Sequence, residues 1–435
     1  MYNFSRRIYC MKEKKYRPRI ADLMLDFKLH SKGAVIIEGP KWVGKTTTAK
    51  RFAKSVVELG DDRDQNQNIF MASIDLNRII KGETPRLFDE WQEVPALWDA
   101  LRYEVDKRNE VGQFILTGSS IKTTKKFGTD ARKHTGTGRF SYLLMRPMSL
   151  YESGDSNGVI SLGELFRSPA KIFAENTLEL EDIVFLACRG GWPFATFLEG
   201  EYALAQARDY YASIIKEDIS RVDGKKRDQR ILRRLLRAYA RVQAQGYSMD
   251  ALSKDIGDVD SRTVADYLDA LRRIYVIDDV EAWNPNLRSK TAVRTSDTRY
   301  FVDPSIAVAA LGVGVQDMLN DLKTFGFIFE TMCVRDLRVY ASAIDGEVYH
   351  YRDKSGLECD AVVHLRNGKY GLIEIKLGST ELIEDGAEKL KTLQKNIDVA
   401  TMGTPSFCAV ITGVGKYAYR RPDGVFVVPI GCLKS

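Results

Sequence analysis

The sequence predicts an α/β protein of two or three domains that opens on a strand, a glycine-bearing loop and a helix. Three observations predict it. The apolar run Gly33–Glu38 leads into Gly39-Pro-Lys-Trp-Val-Gly-Lys45-Thr46, and a helix-forming stretch, Thr47–Lys54, follows. Two further short apolar segments end in acids or hydroxyls, at Asp89-Glu90 and at Thr117–Ser120. Three strand-like segments near the C-terminus, 347–352, 358–366 and 369–377, indicate a second sheet. At 435 residues the chain exceeds one ordinary core.

The motif at 39–46 is the spacing of a phosphate-binding loop. Glycines let the backbone curl so that successive N–H groups face phosphate oxygens. A helix starting near Lys45 adds its positive end. Gly39, Pro40, Lys41, Trp42, Val43, Gly44, Lys45, Thr46 and Thr47 are the expected nucleotide contacts. Lys45 is expected to reach the β- and γ-phosphates of ATP, and Thr46 to place its hydroxyl on Mg²⁺.

Composition narrows the class. Hydrophobic residues make up 44% and charged residues 29%, ordinary for a soluble globular protein. No apolar run approaches the ~18 residues of a membrane span, and residues 1–10 lack a signal-peptide core. A cytoplasmic protein is expected, with 1–10 an extension and Met11 an alternative start. Six scattered cysteines without a C-x-x-C pair point to structural thiols. A net charge of +6 is compatible with nucleic acid without requiring it.

In the first domain, 11–165, a helix is expected over Ile20–Leu29, a loop over Gly60–Asn68 and a strand over Ile69–Ile74. Leu87-Phe88-Asp89-Glu90 is a short apolar step ending in two acids. The first suits Mg²⁺ held through its water shell; the second suits a general base. Thr117 or Ser119 suits a γ-phosphate sensor, or else a hydroxyl-rich turn. Arg139, just before the strand Phe140–Met145, is a candidate arginine finger in cis or in trans, the latter requiring a homo-oligomer.

Together GPKWVGKT, LFDEWQEVPALWDALRYEVD, FILTGSS and GR with LLMRPMSLYE resemble bacterial and archaeal AAA-like ATPases that carry a following domain of unknown function. The resemblance covers nearly the whole chain. It implies a P-loop ATPase with a role on DNA, and Lys41 stands where that family usually has arginine. The charge is kept and the planar fork is lost.

The middle segment, 166–300, reads as helical. Cys188–Phe194 is a tight turn, and Tyr202–Asp218 is one helix. Lys225–Arg241 is a basic amphipathic helix, with arginines 230, 233, 234, 237 and 241 on its polar face. That face is either solvated or set against a phosphate backbone. Ser248–Gly257, then Ser261–Tyr275 capped by Ser261, then apolar Val276–Trp283 resembles a winged helix-turn-helix. Asp266 and Asp269 on its second helix argue against base reading.

The last domain, 301–435, has the helix Phe325–Leu337, carrying Glu330, before its strands. Cys359-Asp360 and Ile373-Glu374-Ile-Lys376 resemble the core of PD-(D/E)XK nucleases, a restriction-endonuclease-like α/β fold, with Cys359 in place of the usual proline. The resemblance implies Asp360 and Glu374 as Mg²⁺ ligands, Glu330 completing the set, and Lys376 positioning water. The hairpin register follows from burial. A two-residue turn at Asn367-Gly368 sets Asp360 opposite Ile375, among aliphatics. A three-residue loop, Arg366–Gly368, with Gly368 left-handed, sets Asp360 opposite Glu374 and collects Ala361, Val363, Leu365, Ile373 and Ile375 on the other face. The second register is expected. The domain either cuts DNA or is a nuclease fold that no longer cuts.

The leading reading is an ATPase coupled to a DNA-binding, nuclease-like domain. The rival is an ATP-dependent signalling or assembly switch that binds a protein partner.

Overall fold

Five parallel strands form the first sheet: β1 Ala34–Glu38, β2 Ser55–Glu58, β3 Arg86–Asp89, β4 Phe114–Thr117 and β5 Phe140–Leu144. Their order is β2-β3-β4-β1-β5. The computed structural model describes residues 16–60, 65–118, 136–257, 259–283, 297–397 and 399–435. The sheet is covered on both faces, which is why its central strands read as unbroken apolar runs. Val35, Ile37, Leu87 and Ile115 enter one core, while Ala34, Ile36, Phe88, Phe114 and Leu116 enter another. Helix α1 is Ile20–Leu29 and α2 is Lys45–Phe52, both as expected.

The stretch 65–74 departs from expectation. Gln65–Ile74 is helix α3, not a loop and a strand, and the strand beside β3 is Ser55–Glu58. Ile69 and Ala72, three apart, pack inward while Phe70 and Ile74 are exposed. That is helical spacing, hidden in an apolar run short enough for either element. Helix α4, Leu97–Arg108, completes this layer.

The middle segment is helical. It contains α5 Leu180–Arg189, α6 Gly200–Ser213 and a π-helical turn over Ile214–Asp218. Then come α7 Gln229–Arg241, α8 Met249–Asp255 and α9 Ser261–Arg273. Asp260, not Ser261, caps α9, because its carboxylate accepts the Arg262 N–H and leaves Ser261 as the first helical residue. Thr298 bridges both Gly246 and Val280, and Ile277 bridges Phe301, so a small antiparallel set closes the three helices.

In the last domain α10, Leu322–Ser342, precedes a sheet with α11, Thr380–Asn396, on its opposite face. Its strands are β8 Gly346–Arg352, β9 Glu358–Leu365, β10 Tyr370–Lys376, β11 Phe407–Thr412, β12 Tyr417–Arg420 and β13 Phe426–Pro429. Two short strands tie the domains together. Ala174–Glu175 (β7) sits at the edge of this sheet, and Ile160–Ser161 (β6) pairs with Leu433–Lys434 (β14). The boundaries drawn at 165 and 300 therefore divide segments that share strands.

The β9–β10 register is the three-residue one. Tyr370 pairs with His364 and Ile373 with Ala361. The Leu365 N–H donates to the Lys369 carbonyl at 2.8 Å, and Gly368 has φ +85°. Ala361, Val363, Leu365, Ile373 and Ile375 join the large core. The five described cysteines, Cys188, Cys333, Cys359, Cys408 and Cys432, are buried and unpaired; Cys10 lies outside the described residues. So do residues 1–10 and Met11. Among the described residues no helix is long and apolar enough to cross a membrane.

Candidate functional site

The loop between β1 and α2 is shaped by two glycines. Gly39 has φ +143°, and a Cβ there would lie 2.2 Å from the Met145 carbonyl oxygen. Gly44 has φ +95° and caps α2, so the helix begins at Lys45 with its N–H groups turned into the loop. Trp42, 57% exposed, also holds a left-handed backbone at φ +66°. Arg19 braces the loop from beneath. Its guanidinium donates to the Val43 and Arg146 carbonyls at 2.9 and 2.8 Å and to Glu152 at 3.1 Å.

Lys45 is buried, and its Nζ donates to the Gly39 and Pro40 carbonyls at 2.9 and 2.7 Å. Asp89 collects two hydroxyls. Thr46 Oγ1 donates to its Oδ1 at 2.7 Å, and Thr117 Oγ1 donates to the same oxygen. A hydroxyl and a carboxylate side by side at the head of α2 suit Mg²⁺ held with its waters. Thr117 acts here on Asp89. Glu90 follows with φ +55°, and its carboxylate accepts from Gln92. Thr47 is exposed, and Ser119 lies outside the described residues.

The second acid set lies on β9, β10 and α10. Lys376 Nζ is 2.7 Å from Glu374 Oε2 and 3.5 Å from Asp360 Oδ2. Asp360 Oδ2 also accepts the Ile375 N–H at 2.7 Å. The Tyr300 hydroxyl donates to Glu330 at 2.6 Å. Burial, with Asp360 next, raises Glu330 far above the carboxylate range, and the same two causes raise Glu374. Burial alone would lower Lys376; Asp360 and Glu374 outweigh it and push the ammonium up. The Oε1 atom of Glu374 is buried without a partner, the one feature that would welcome a cation. Yet an ammonium already bridges the two carboxylates, and among the described residues no three His, Cys, Asp or Glu groups are placed to hold a metal. Of the expected Mg²⁺ set, Asp360 and Glu374 gather at Lys376, while Glu330 is held by the Tyr300 hydroxyl.

Three family models match the chain. Residues 31–153 match one described as an AAA domain, 180–317 a domain of unknown function (DUF8612), and 325–433 another (DUF4143). The first segment is an AAA-type P-loop ATPase domain. A DUF4143 domain follows it. Uncharacterized proteins of Mycobacterium bovis and Mycobacterium tuberculosis are each 23% identical over 424 residues, 97% of this chain and 85% of theirs. Among solved structures, a Walker-type ATPase of Pyrococcus abyssi aligns with TM-score 0.39 and 12% identity, over 68% of this chain and 99% of its own. An Aeropyrum pernix ORC1 protein in complex with DNA aligns with TM-score 0.27 and 11% identity, over 69% and 93%.

Within the AAA domain Arg139 needs correction. It precedes β5, whose first residue pairs with Ala34, whereas the phosphate loop leaves the other end of β1. Five residues of strand, roughly 16 Å at ~3.3 Å each, separate them. Arg139 instead pairs with Asp106 on α4 at 2.7 Å, on the surface. It is not a finger for its own nucleotide.

Lys41 is placed differently again. Its Nζ pairs with Asp218 at the end of the π turn. The Tyr210 ring lies between Trp42 and Trp192, with centroids at 6.3 and 4.3 Å. Asp218, Tyr210, Arg19 and Gln92 had no sequence signal, because each reaches the loop from a remote or unpatterned position.

Burial pushes the Lys45 ammonium down to about 8, against the pull of Glu90 and Asp89, with Lys41 adding to the depression. The folded value lies below the ordinary 10.5, so the unfolded chain holds more protons between those limits. This lysine therefore adds stability as pH rises through that window. Phosphate recognition runs the other way, since it needs the charged form. Affinity for a non-hydrolysable ATP analogue is expected to fall about tenfold per pH unit above about 8. A flat affinity from pH 7 to pH 10 in titration calorimetry would contradict this.

Proposed function

We propose that this chain is a Mg²⁺-dependent ATPase whose nucleotide state is relayed, through a winged helix-turn-helix, to a nuclease-like domain acting on DNA. One observation carries the reading: the phosphate loop is wired to the helical segment. Lys41 pairs with Asp218, and the chain continues from the π turn to the Ile219 carbonyl, which accepts from Arg227 at 3.1 Å. Arg227 pairs in turn with Asp223 at 2.8 Å and with Asp266 of α9 at 2.9 Å. The links are two ion-pair steps joined by one backbone carbonyl, with Asp218 and Arg227 shielded from solvent, and π turns recur at functional sites. A phosphate near Lys41 competes with Asp218 for one ammonium.

The roles follow from the site. Loop N–H groups and Lys45 bind and orient the phosphates. Thr46 and Asp89 would hold Mg²⁺, which would neutralise charge on the transferring phosphoryl group. Glu90, fixed by Gln92, takes the proton of the attacking water. The three helices closed by an antiparallel set support the winged-helix reading. The order α10, three strands, α11, β11 supports the nuclease-like one, with Asp360, Glu374 and Lys376 at the family's positions.

A second reading is favoured by the Lys376 bridge. A domain whose acids are already neutralised by its own ammonium binds without cutting, as in an ATP-dependent assembly switch with a protein partner or a second copy.

The test is ATP hydrolysis with and without duplex DNA, for the wild type and Asp218→Asn, with the DNA then run on a gel with Mg²⁺. Hydrolysis that DNA stimulates in the wild type and not in Asp218→Asn is the expected result. Hydrolysis indifferent to DNA, beside uncut DNA, would overturn it for the switch. Cut DNA would overturn the second reading.

A further inference from the structure

The outer face of α7 carries Arg233, Arg234, Arg237 and Arg241, all exposed. The opposite face, with Leu232, Leu235, Leu236 and Tyr239, is buried. None of the four guanidiniums forms an ion pair or hydrogen bond with another described residue. Their neighbours on the chain do: Arg227 and Lys225 pair with Asp266, and Arg230 with Asp228. Four arginines in nine residues without an ion-pair or hydrogen-bond partner among the described residues cost self-repulsion.

The second helix of the turn looks different. On α9, Asp266 is spent on Arg227 and Lys225, and Asp269 pairs with Arg273 at 3.0 Å. Its exposed charge is largely compensated. The uncompensated charge lies on the first helix of the three.

We propose that this face of α7 binds the nucleic-acid backbone, and that the second helix of the turn does not. Along the helix axis, Arg233 to Arg241 spans eight residues, about 12 Å at ~1.5 Å each. One strand of a duplex presents a phosphate every ~3.4 Å, so about four phosphates lie along that span. Guanidiniums match phosphate as planar forks. No large apolar side chain shares the face, as a protein-docking helix would show. Recognition by such a ladder is sequence-independent. The inference rests on the DNA reading above and names the surface that serves it.

The experiment is fluorescence anisotropy of a labelled duplex of about 20 base pairs with the full chain, from about 50 to about 200 mM KCl. Two variants are compared with the wild type: all four arginines to glutamine, and all four to lysine. ATP hydrolysis without DNA checks that each is folded. Four phosphate contacts contribute about −3.6 to the slope of log affinity against log salt. The glutamine variant is expected to lose about that much slope and at least tenfold in affinity at low salt, while the lysine variant keeps the slope. DNA binding with an unchanged slope in the glutamine variant would move the surface elsewhere and leave the DNA reading standing. Equal loss in the lysine variant would overturn a charge-based contact. Wild type that binds no duplex at any salt would remove the DNA reading and this surface with it.

Discussion

Arg335→Ala is expected to destabilise the whole chain by about 3–5 kcal/mol, the cost of stranding buried partners of a removed charge. Arg335 is 3% exposed on α10, between two fully buried carboxylates. Its guanidinium donates to Asp303 at 2.9 Å and to Asp336 at 2.7 Å. Those carboxylates are committed elsewhere as well: Asp303 accepts the Gly191 N–H, and Asp336 the Leu150 N–H, each at 2.9 Å. Losing the arginine leaves two acids without a cation in a core that joins the ATPase, the helical segment and the last sheet. Urea unfolding by circular dichroism measures it, as a midpoint that falls with little change of slope. Arg335→Lys should recover only part, because one ammonium cannot reproduce a two-sided fork. A midpoint unchanged in Arg335→Ala would mean that the acids are relieved by protonation or water.

Lys45→Met is expected to reduce ATP hydrolysis by at least about 100-fold, the loss typical of deleting one preorganised donor from a site of developing charge. Stability is expected to hold or rise, for two reasons. The ammonium is 7% exposed and its burial is already unfavourable, as its lowered proton affinity indicates. Methionine fills similar space without a charge. Parallel measurement of turnover and melting temperature separates the two effects. A variant that loses activity only because it unfolds earlier would assign Lys45 a structural role.

The centre of the first sheet was legible because β1, β3 and β4 are apolar and largely buried and the loop has a fixed spacing, whereas the half-exposed edge strand Ser55–Glu58 was missed. The register of β9 and β10 was legible for a stricter reason: one choice buries Asp360 among aliphatics and the other does not. Gln65–Ile74 was misread because an apolar run of six residues suits either period. Arg139 was misplaced because the sequence alone does not say whether β5 runs parallel or antiparallel to β1, and so at which edge of the sheet the residue before it lies. Asp89 and Lys45 were visible through local pattern. Asp218 was not, since it lies 177 residues from Lys41 and its partner is set by how α6 crosses the loop. The same holds for Arg19, whose contacts with Val43, Arg146 and Glu152 depend on tertiary packing alone.

The pairing of β6 with β14 has a consequence for synthesis. Ile160 and Ser161 leave the ribosome about 270 residues before Leu433 and Lys434, the strand they pair with. At ~5–20 residues per second that interval is roughly 15–55 s. Leu150, just before them, waits for Asp336, and Gly191 waits for Asp303. During that time the AAA domain can close its parallel sheet, while its final segment keeps open edges and unsatisfied N–H groups. The nascent chain is thus most exposed to chaperones and proteases near residues 146–161, and a ribosome stalled before residue 433 would display that segment.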